Sequence, residues 1–205
     1  MDRALLKQKA KDSLKGKYAD AIIVILISAI LGGISGLISG IGEGLEIFSL
    51  QILGDIISFL VSAFITFGSL SFFLKISRNE EVTYQELFSK TKMFVPYLLI
   101  SLLVGIFTVL WSILFIIPGI IAAISYSQSY LIVLDNPDID PMEAIRESKR
   151  LMNGHKMEFF ILNLSFLGWA ILGIFTFGIL YFWLIPYMSV TQANFYNALL
   201  EEKNK

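Results

Sequence analysis

The chain has 205 residues, of which 56% are hydrophobic and 16% charged, with a formal net charge of −1. A soluble domain averages about 25% charged residues mixed through its length. Here the charges are gathered into a few short intervals, which excludes an ordinary soluble domain and predicts one integral membrane domain over 1–205. Cysteine is absent, so there is no disulfide, thiolate nucleophile or cysteine metal site.

The first 17 residues carry Arg3, Lys7, Lys9, Lys11, Lys15 and Lys17, while Leu6, Ala10 and Leu14 recur at helical spacing. That pattern predicts a basic amphipathic helix at the membrane surface, its basic side chains, Lys11, Lys15 and Lys17 among them, meeting anionic lipid headgroups or acting only as a topology signal. The apolar run after Ala21 is longer than a signal-peptide core and ends without a small-residue cleavage site. A retained first span over 18–42 is therefore expected. Within it Gly32, Gly36, Gly40 and Gly44 stand four apart and form a smooth stripe, the kind of face that lets another backbone approach. Its partner is expected inside this chain rather than in a second copy. Glu43, Glu46 and Asp55 fall in the next connector, followed by a second span over 54–75.

The interval 75–92 is charged again. Thr83-Tyr84-Gln85-Glu86 has the form of a capping box, with Val82 and Leu87 placed to staple it, and predicts a surface helix over 83–92. From Met93 to Leu134 there is no charged side chain for 42 residues, about twice the ~20 residues that one crossing requires. Ile116-Ile117-Pro118-Gly119 stands near the middle as the natural place to reverse. A helical hairpin with arms 94–117 and 119–135 follows. The second arm is short, so the turn lies somewhat before Pro118 or Asp135 sits among the headgroups.

Asp140-Pro141-Met142-Glu143 is a second capping box with proline at the first helical position. It predicts a surface helix over 141–153 that stops at Gly154. Ala144, Ile145, Ser148, Leu151 and Met152 form one face of this helix. Arg146, Glu147, Lys149 and Arg150 mostly form the other, with Lys149 and Arg150 as headgroup contacts. Phe159 to Leu200 is another uncharged run of 42 residues. It predicts spans over 157–174 and 178–199 that turn at Gly173–Gly178, with Pro186 inside the last helix and a short polar tail, 201–205. A capped surface helix followed by a charge-free hairpin thus recurs, as an architectural repeat only.

Six spans in three hairpins put every lysine and arginine on one side, leaving Glu43, Glu46 and Asp55 on the other. By the positive-inside rule both termini are cytoplasmic, and Trp111, Trp169 and Trp183 fall near the outer ends of their helices. A four-span threading would put basic residues on both sides. At membrane depth Gln128, Asn163, Gln192 and Asn194 form one layer, with Tyr126 and Tyr130 at similar depth. Such side chains must find partners within the protein. Two readings follow: interhelical hydrogen bonds, or a polar cavity that takes a headgroup or small amphiphile.

Enzyme signatures are missing. His155 is the only histidine and stands at a predicted helix end. The acidic stretch Asp135–Asp140 has Asp140 and Arg146 where a calcium loop needs glycine and glutamate. No phosphate loop, dinucleotide fingerprint or zinc-protease motif occurs, so no cofactor is expected.

Trp111-Ser112, Ile116-Ile117-Pro118-Gly119-Ile120, Tyr126-Ser127, Asp135-Asn136-Pro137, Glu143-Ala144-Ile145 and Ser148 together resemble a bacterial membrane family, domain-of-unknown-function family 975. Leu151-Met152, Gly154-His155-Lys156, Leu164-Ser165-Phe166, Gly168-Trp169, Pro186-Tyr187 and Ala193-Asn194-Phe195-Tyr196 extend the likeness. At the start it includes Ala10-Lys11, Leu14-Lys15-Gly16 and Tyr18. More distantly, the chain is similar to the membrane domain fused to some glycerophosphodiester phosphodiesterases, whose hydrolase half is absent here. The resemblance implies a multi-pass plasma-membrane protein and carries over no catalytic residue. The expected function is non-enzymatic binding or sensing of lipids or amphiphiles, with anionic membrane lipids as partners and no nucleic acid. A second copy or another membrane protein is a further possible partner. A transporter for a small amphiphile is the alternative; an intramembrane enzyme would need a nucleophile–base pair that the sequence does not offer.

Overall fold

The computed structural model describes residues 2–203, apart from the side chains of Ser35, Ser39 and Lys92; Asn204 and Lys205 of the expected tail lie outside the described residues. Among these residues there is no strand, and the chain is an all-α bundle. Helix α1 (Arg3–Leu14) precedes a long hairpin, α2 (Tyr18–Gly44) and α3 (Phe48–Ser77). The second hairpin is α4 (Phe94–Leu114) with α5 (Ile116–Tyr126) and α6 (Ser129–Asp135). Helix α7 (Pro141–Leu151) leads into the third, α8 (Lys156–Leu164) and α9 (Leu167–Phe175) with α10 (Tyr181–Lys203). Five helical stretches are long and apolar enough to cross a membrane: α2, α3, α4, α5–α6 and α8–α9. The sixth expected span, α10, has the length but is less apolar, because Gln192, Asn194 and Asn197 interrupt it. It packs against α1, α2, α3, α7 and α9, and a helix surrounded by protein needs less hydrocarbon-compatible surface.

Side-chain burial is concentrated at the charged end of the bundle. Leu6 and Leu74 join Leu131–Val133, Ala144, Met152, Leu162, Phe166 and the α10 face Ala193, Phe195, Tyr196 and Leu199 in one core. Ala10, Leu14, Val24, Phe72, Phe73 and Ile76 form a second. The opposite ends expose Leu37, Phe48, Ile113, Phe115, Ile116 and Phe177, a surface suited to lipid tails and unsuited to water. Three hairpins are clasped at the charged end. Arg78 donates two hydrogen bonds to Asp135, at 2.7 and 2.6 Å, and Tyr196 donates a third at 3.0 Å. The Arg78 guanidinium also donates to Asn197, which donates in turn to Ser77.

Several boundaries differ from the expectation. The first connector shrinks to Leu45–Ile47, with Glu46 at φ 55°, and Asp55 lies within α3. Nothing in residues 48–55 halts a helix, and Gly42 lets the arms close, since a Cβ there would stand 2.4 Å from the Gln51 nitrogen. The second hairpin reverses at Phe115 (φ −160°), ahead of Pro118 as the short second arm allowed, and not within Ile116–Gly119. Pro118 therefore sits in the first turn of α5, where its missing N–H has no helical partner to lose. Gly119 permits the arms to meet, because a Cβ would stand 2.1 Å from the Ser112 Oγ.

The first capping box does not form. Thr83 makes no side-chain cap and residues 84–93 make two short 3-10 turns instead of a surface α-helix. Glu86 accepts hydrogen bonds from Ser71 (2.6 Å) and Lys75 (2.8 Å), which pin this segment to α3 over Gly68. Burial alone would raise the Glu86 carboxyl, but the Lys75 and Ser71 bonds outweigh it and hold it below the usual range. At the second box the aspartate half caps as expected: Asp140 accepts from the Met142 and Glu143 N–H groups while the Glu143 carboxylate pairs with Arg146 and Arg150, and Gly154 follows the helix at φ 86°. Cβ atoms built at Gly32, Gly36, Gly40 and Gly44 meet no atom within 4 Å, whereas one at Gly42 meets the Gln51 backbone. The long side of α2 faces outward there, and α3 meets α2 at Gly42.

Candidate functional site

The polar side chains at membrane depth are engaged mainly with their own helices and neighbours. Gln192 donates to Asn163 at 2.6 Å, which joins α10 to α8, while Asn163 donates to the Phe159 carbonyl at 2.8 Å. Gln128 is buried and donates through its amide side chain to Ser127 at 2.8 Å. Asn194 donates to the Leu6 carbonyl at 3.4 Å and so holds α1 against α10. Tyr130 stacks beside Tyr97 and Tyr126 near Phe107, with centroids 5.3 and 6.3 Å apart. The structure thus brings Asn163 and Gln192 together and places Gln128 and Asn194 in separate contacts.

Gln128 marks a break between α5 and α6, and the repair comes from α7. The buried Ser148 hydroxyl donates to the Ser125 carbonyl at 2.8 Å and accepts from the Gln128 N–H at 3.1 Å. A helix interruption inside a bundle leaves backbone groups that need partners, and one side chain here serves both ends of the gap. At the matching break between α8 and α9, Ser165 donates to the Leu162 carbonyl.

The expected headgroup cations divide. Lys15 pairs with Asp12, Lys17 donates to the Glu80 carbonyl, and Arg150 pairs with Glu143 and Glu147. Lys149 is exposed on α7. Lys11 is different: its ammonium stands 5.6 Å from the centroid of the Tyr187 ring, and four residues earlier Lys7 stands 4.2 Å from that of Phe166. Residues four apart share a helix face, and a cation over an aromatic face is attracted to its quadrupole. The orientation of α1 is set by Leu6, Ala10 and Leu14, whose burial turns Lys7 and Lys11 toward α8–α10.

Beneath these ammonium groups lies a hollow of about 240 Å³, walled by Tyr18, Trp169, Leu180, Trp183, Leu184 and Tyr187. Trp169 and Trp183 remain 53% and 49% exposed, so the aromatic wall is open on its outer side. Trp169 is the third residue of α9, six residues before its end at Phe175, and Trp183 is the third residue of α10. A second hollow, about 440 Å³ and lined by Asp2, Arg3, Ala4, Lys7 and Ser165, shares Lys7 with the first. Asp2 is committed to the α1 N-terminus, accepting from the Ala4 N–H at 2.8 Å. Among the described residues, Arg3, Lys7 and Lys11 form no ion pair. The Lys7 ammonium is held below its ordinary range by burial first, then by the nearby charges of Arg3 and Lys11. Chemically this is an amphipathic cleft, cationic at one end and aromatic along its length.

The sequence placed Arg3, Lys7 and Lys11 among the basic side chains that face headgroups, but not the aromatic wall beside them. The four-residue spacing of Arg3, Lys7 and Lys11 was a visible signal. The pairing of α1 with residues 166–187 was not, because that contact is set by tertiary docking. At the other surface helix, a hollow of about 480 Å³ is lined by Glu147, Arg150, His155, Glu202 and Lys203 among others, with charges of both signs in mutual contact. Among the described residues no group of three or more His, Cys, Asp or Glu side chains is placed to hold a metal ion.

No curated protein and no solved structure matches the chain. A family model described as "Protein of unknown function (DUF975)" matches residues 1–125 and 113–203. Together these segments reach from the first residue to the end of α10, and the chain belongs to the DUF975 family.

Proposed function

We infer that this chain is a non-enzymatic multi-pass membrane protein that binds lipids or other amphiphiles from the cytoplasmic leaflet of the plasma membrane, with both termini inside the cell. Six crossings would leave every lysine and arginine on one side, which the positive-inside rule assigns to the cytoplasm. The observation that carries the reading is the cleft under α1. Two ammonium groups without carboxylate partners stand above an aromatic wall left open to the surroundings. A molecule with a polar head and an apolar tail matches both ends at once.

Two measurements test this. Native mass spectrometry of protein extracted in mild detergent should find retained lipid, and less of it after Trp183→Ala. A wild-type preparation that carries no lipid contradicts the binding reading. The threading is tested with single cysteines in this cysteine-free chain. A cysteine at Phe177 should react with an impermeant thiol reagent on intact cells, and one at Asn153 should stay silent. The reverse pattern contradicts the orientation.

A further inference from the structure

Resting on that amphiphile-binding reading, the geometry points to a ligand class: an anionic, phosphate-bearing lipid, its phosphate held by Arg3, Lys7 and Lys11 and one hydrocarbon chain lying along Trp169 and Trp183. The three cations stand at four-residue intervals on α1, a stripe roughly 12 Å long at the helical rise. Like charges at that spacing repel one another and weaken their own helix. Among the described residues no carboxylate forms an ion pair with them: Asp2 is turned to the α1 backbone and Asp12 to Lys15 and Gln8. An anion with several acceptor oxygens, lying between an arginine fork and two ammonium groups, satisfies this arrangement.

The second half of the ligand follows from the neighbouring hollow. The polar hollow at Arg3 and the aromatic hollow at Trp169 and Trp183 meet at Lys7. A headgroup in the first therefore places its chain at the mouth of the second. Free phosphate would fill only the polar part and a neutral lipid only the aromatic part. The aromatic hollow is narrow, about 240 Å³, and suits one chain.

The test uses the full chain in mild detergent with equal amounts of phosphatidylglycerol and phosphatidylcholine of matched chain length, read by native mass spectrometry. Wild type should favour phosphatidylglycerol, and each lysine removed should lower that preference about fivefold. K7Q/K11Q should abolish it and K7R/K11R should restore it, with thermal melting reported for both to separate loss of the site from loss of the fold. Trp183→Ala should weaken retention of both lipids while keeping the headgroup preference. Glycerol phosphate, a head without a chain, should fail to compete, and so should a fatty acid of equal chain length. Lipid retained without headgroup preference, or a preference unchanged in K7Q/K11Q, overturns the phosphate assignment and leaves amphiphile binding standing. Competition by glycerol phosphate overturns the lipid in favour of a soluble phosphate, and competition by the fatty acid overturns the phosphate. A wild-type protein that retains no lipid overturns both readings.

Discussion

Helices α1 and α7 are close counterparts: 12 and 11 residues long, each capped by an aspartate that accepts from two backbone N–H groups, each rich in cations. They dispose of those cations differently. On α7, Glu143 and Glu147 engage Arg146, Arg150 and, from α10, Lys203. On α1 the only carboxylate within the helix, Asp12, engages Lys15 and Gln8 near its end, and Arg3, Lys7 and Lys11 are left facing aromatic rings and open hollows. Alike in local chemistry, one helix is a self-satisfied strut and the other presents charge. What separates them is whether carboxylates share the cationic face.

The comparison can be broken most forcefully at the docking faces. Leu6→Ala removes a buried side chain from the α1 contact and should cost about 2–5 kcal/mol, read as a lower melting temperature in detergent with loss of retained lipid. On α7 the counterpart is Ser148→Ala, which leaves the buried Gln128 N–H without its acceptor. It should cost about 1–3 kcal/mol with lipid retention intact at temperatures where the protein stays folded. If Ser148→Ala removes lipid while Leu6→Ala does not, the two helices have been assigned the wrong way round.

Acidity separates them more gently. The Lys203 hydrogen bond, opposed by burial and aided by Arg150, holds the Glu147 carboxyl below its ordinary range. A depressed carboxylate contributes stability that is fully present above its unfolded value and is lost as pH falls through its lower folded value. The α7–α10 contact should therefore weaken below the normal carboxylate range. The α1 stripe has no carboxylate to lose in acid. Lys7, whose ammonium is depressed, behaves oppositely: as pH rises through its lowered value, α1 docking should strengthen while anionic lipid binding weakens. Melting curves against pH, with Glu147→Gln flattening the acid limb and Lys7→Gln the alkaline one, check both signs. The smallest effect is expected from Arg150→Gln, about 0–1 kcal/mol, because that side chain is 67% exposed in its ion pairs.

The sequence was most legible where one local rule acted alone. Asp140 with Pro141 and Gly154 marked both ends of α7, and the charge-free runs marked the hairpins. It misled where a tertiary contact outbid a local one. Glu86 was drawn to Lys75 and Ser71 and did not close a box with Thr83. Pro118 suited a helix start as well as a turn, so the reversal moved to Phe115. The glycines of α2 signalled closeness to some backbone, but no residue type in that stretch says whose. The cleft under α1 was the least legible feature, since Lys7 and Phe166 are brought together only when Leu6, Ala10 and Leu14 dock.

The most direct test of the claim that α1 and not α7 holds the ligand is a matched removal of charge. K7Q/K11Q and K149Q/R150Q each take two cations from one surface helix, and lipid retained per protein is counted for both by native mass spectrometry under identical extraction. The account predicts that the first variant loses its anionic lipid and the second keeps it. Equal retention in the two, or loss in the second alone, would contradict it.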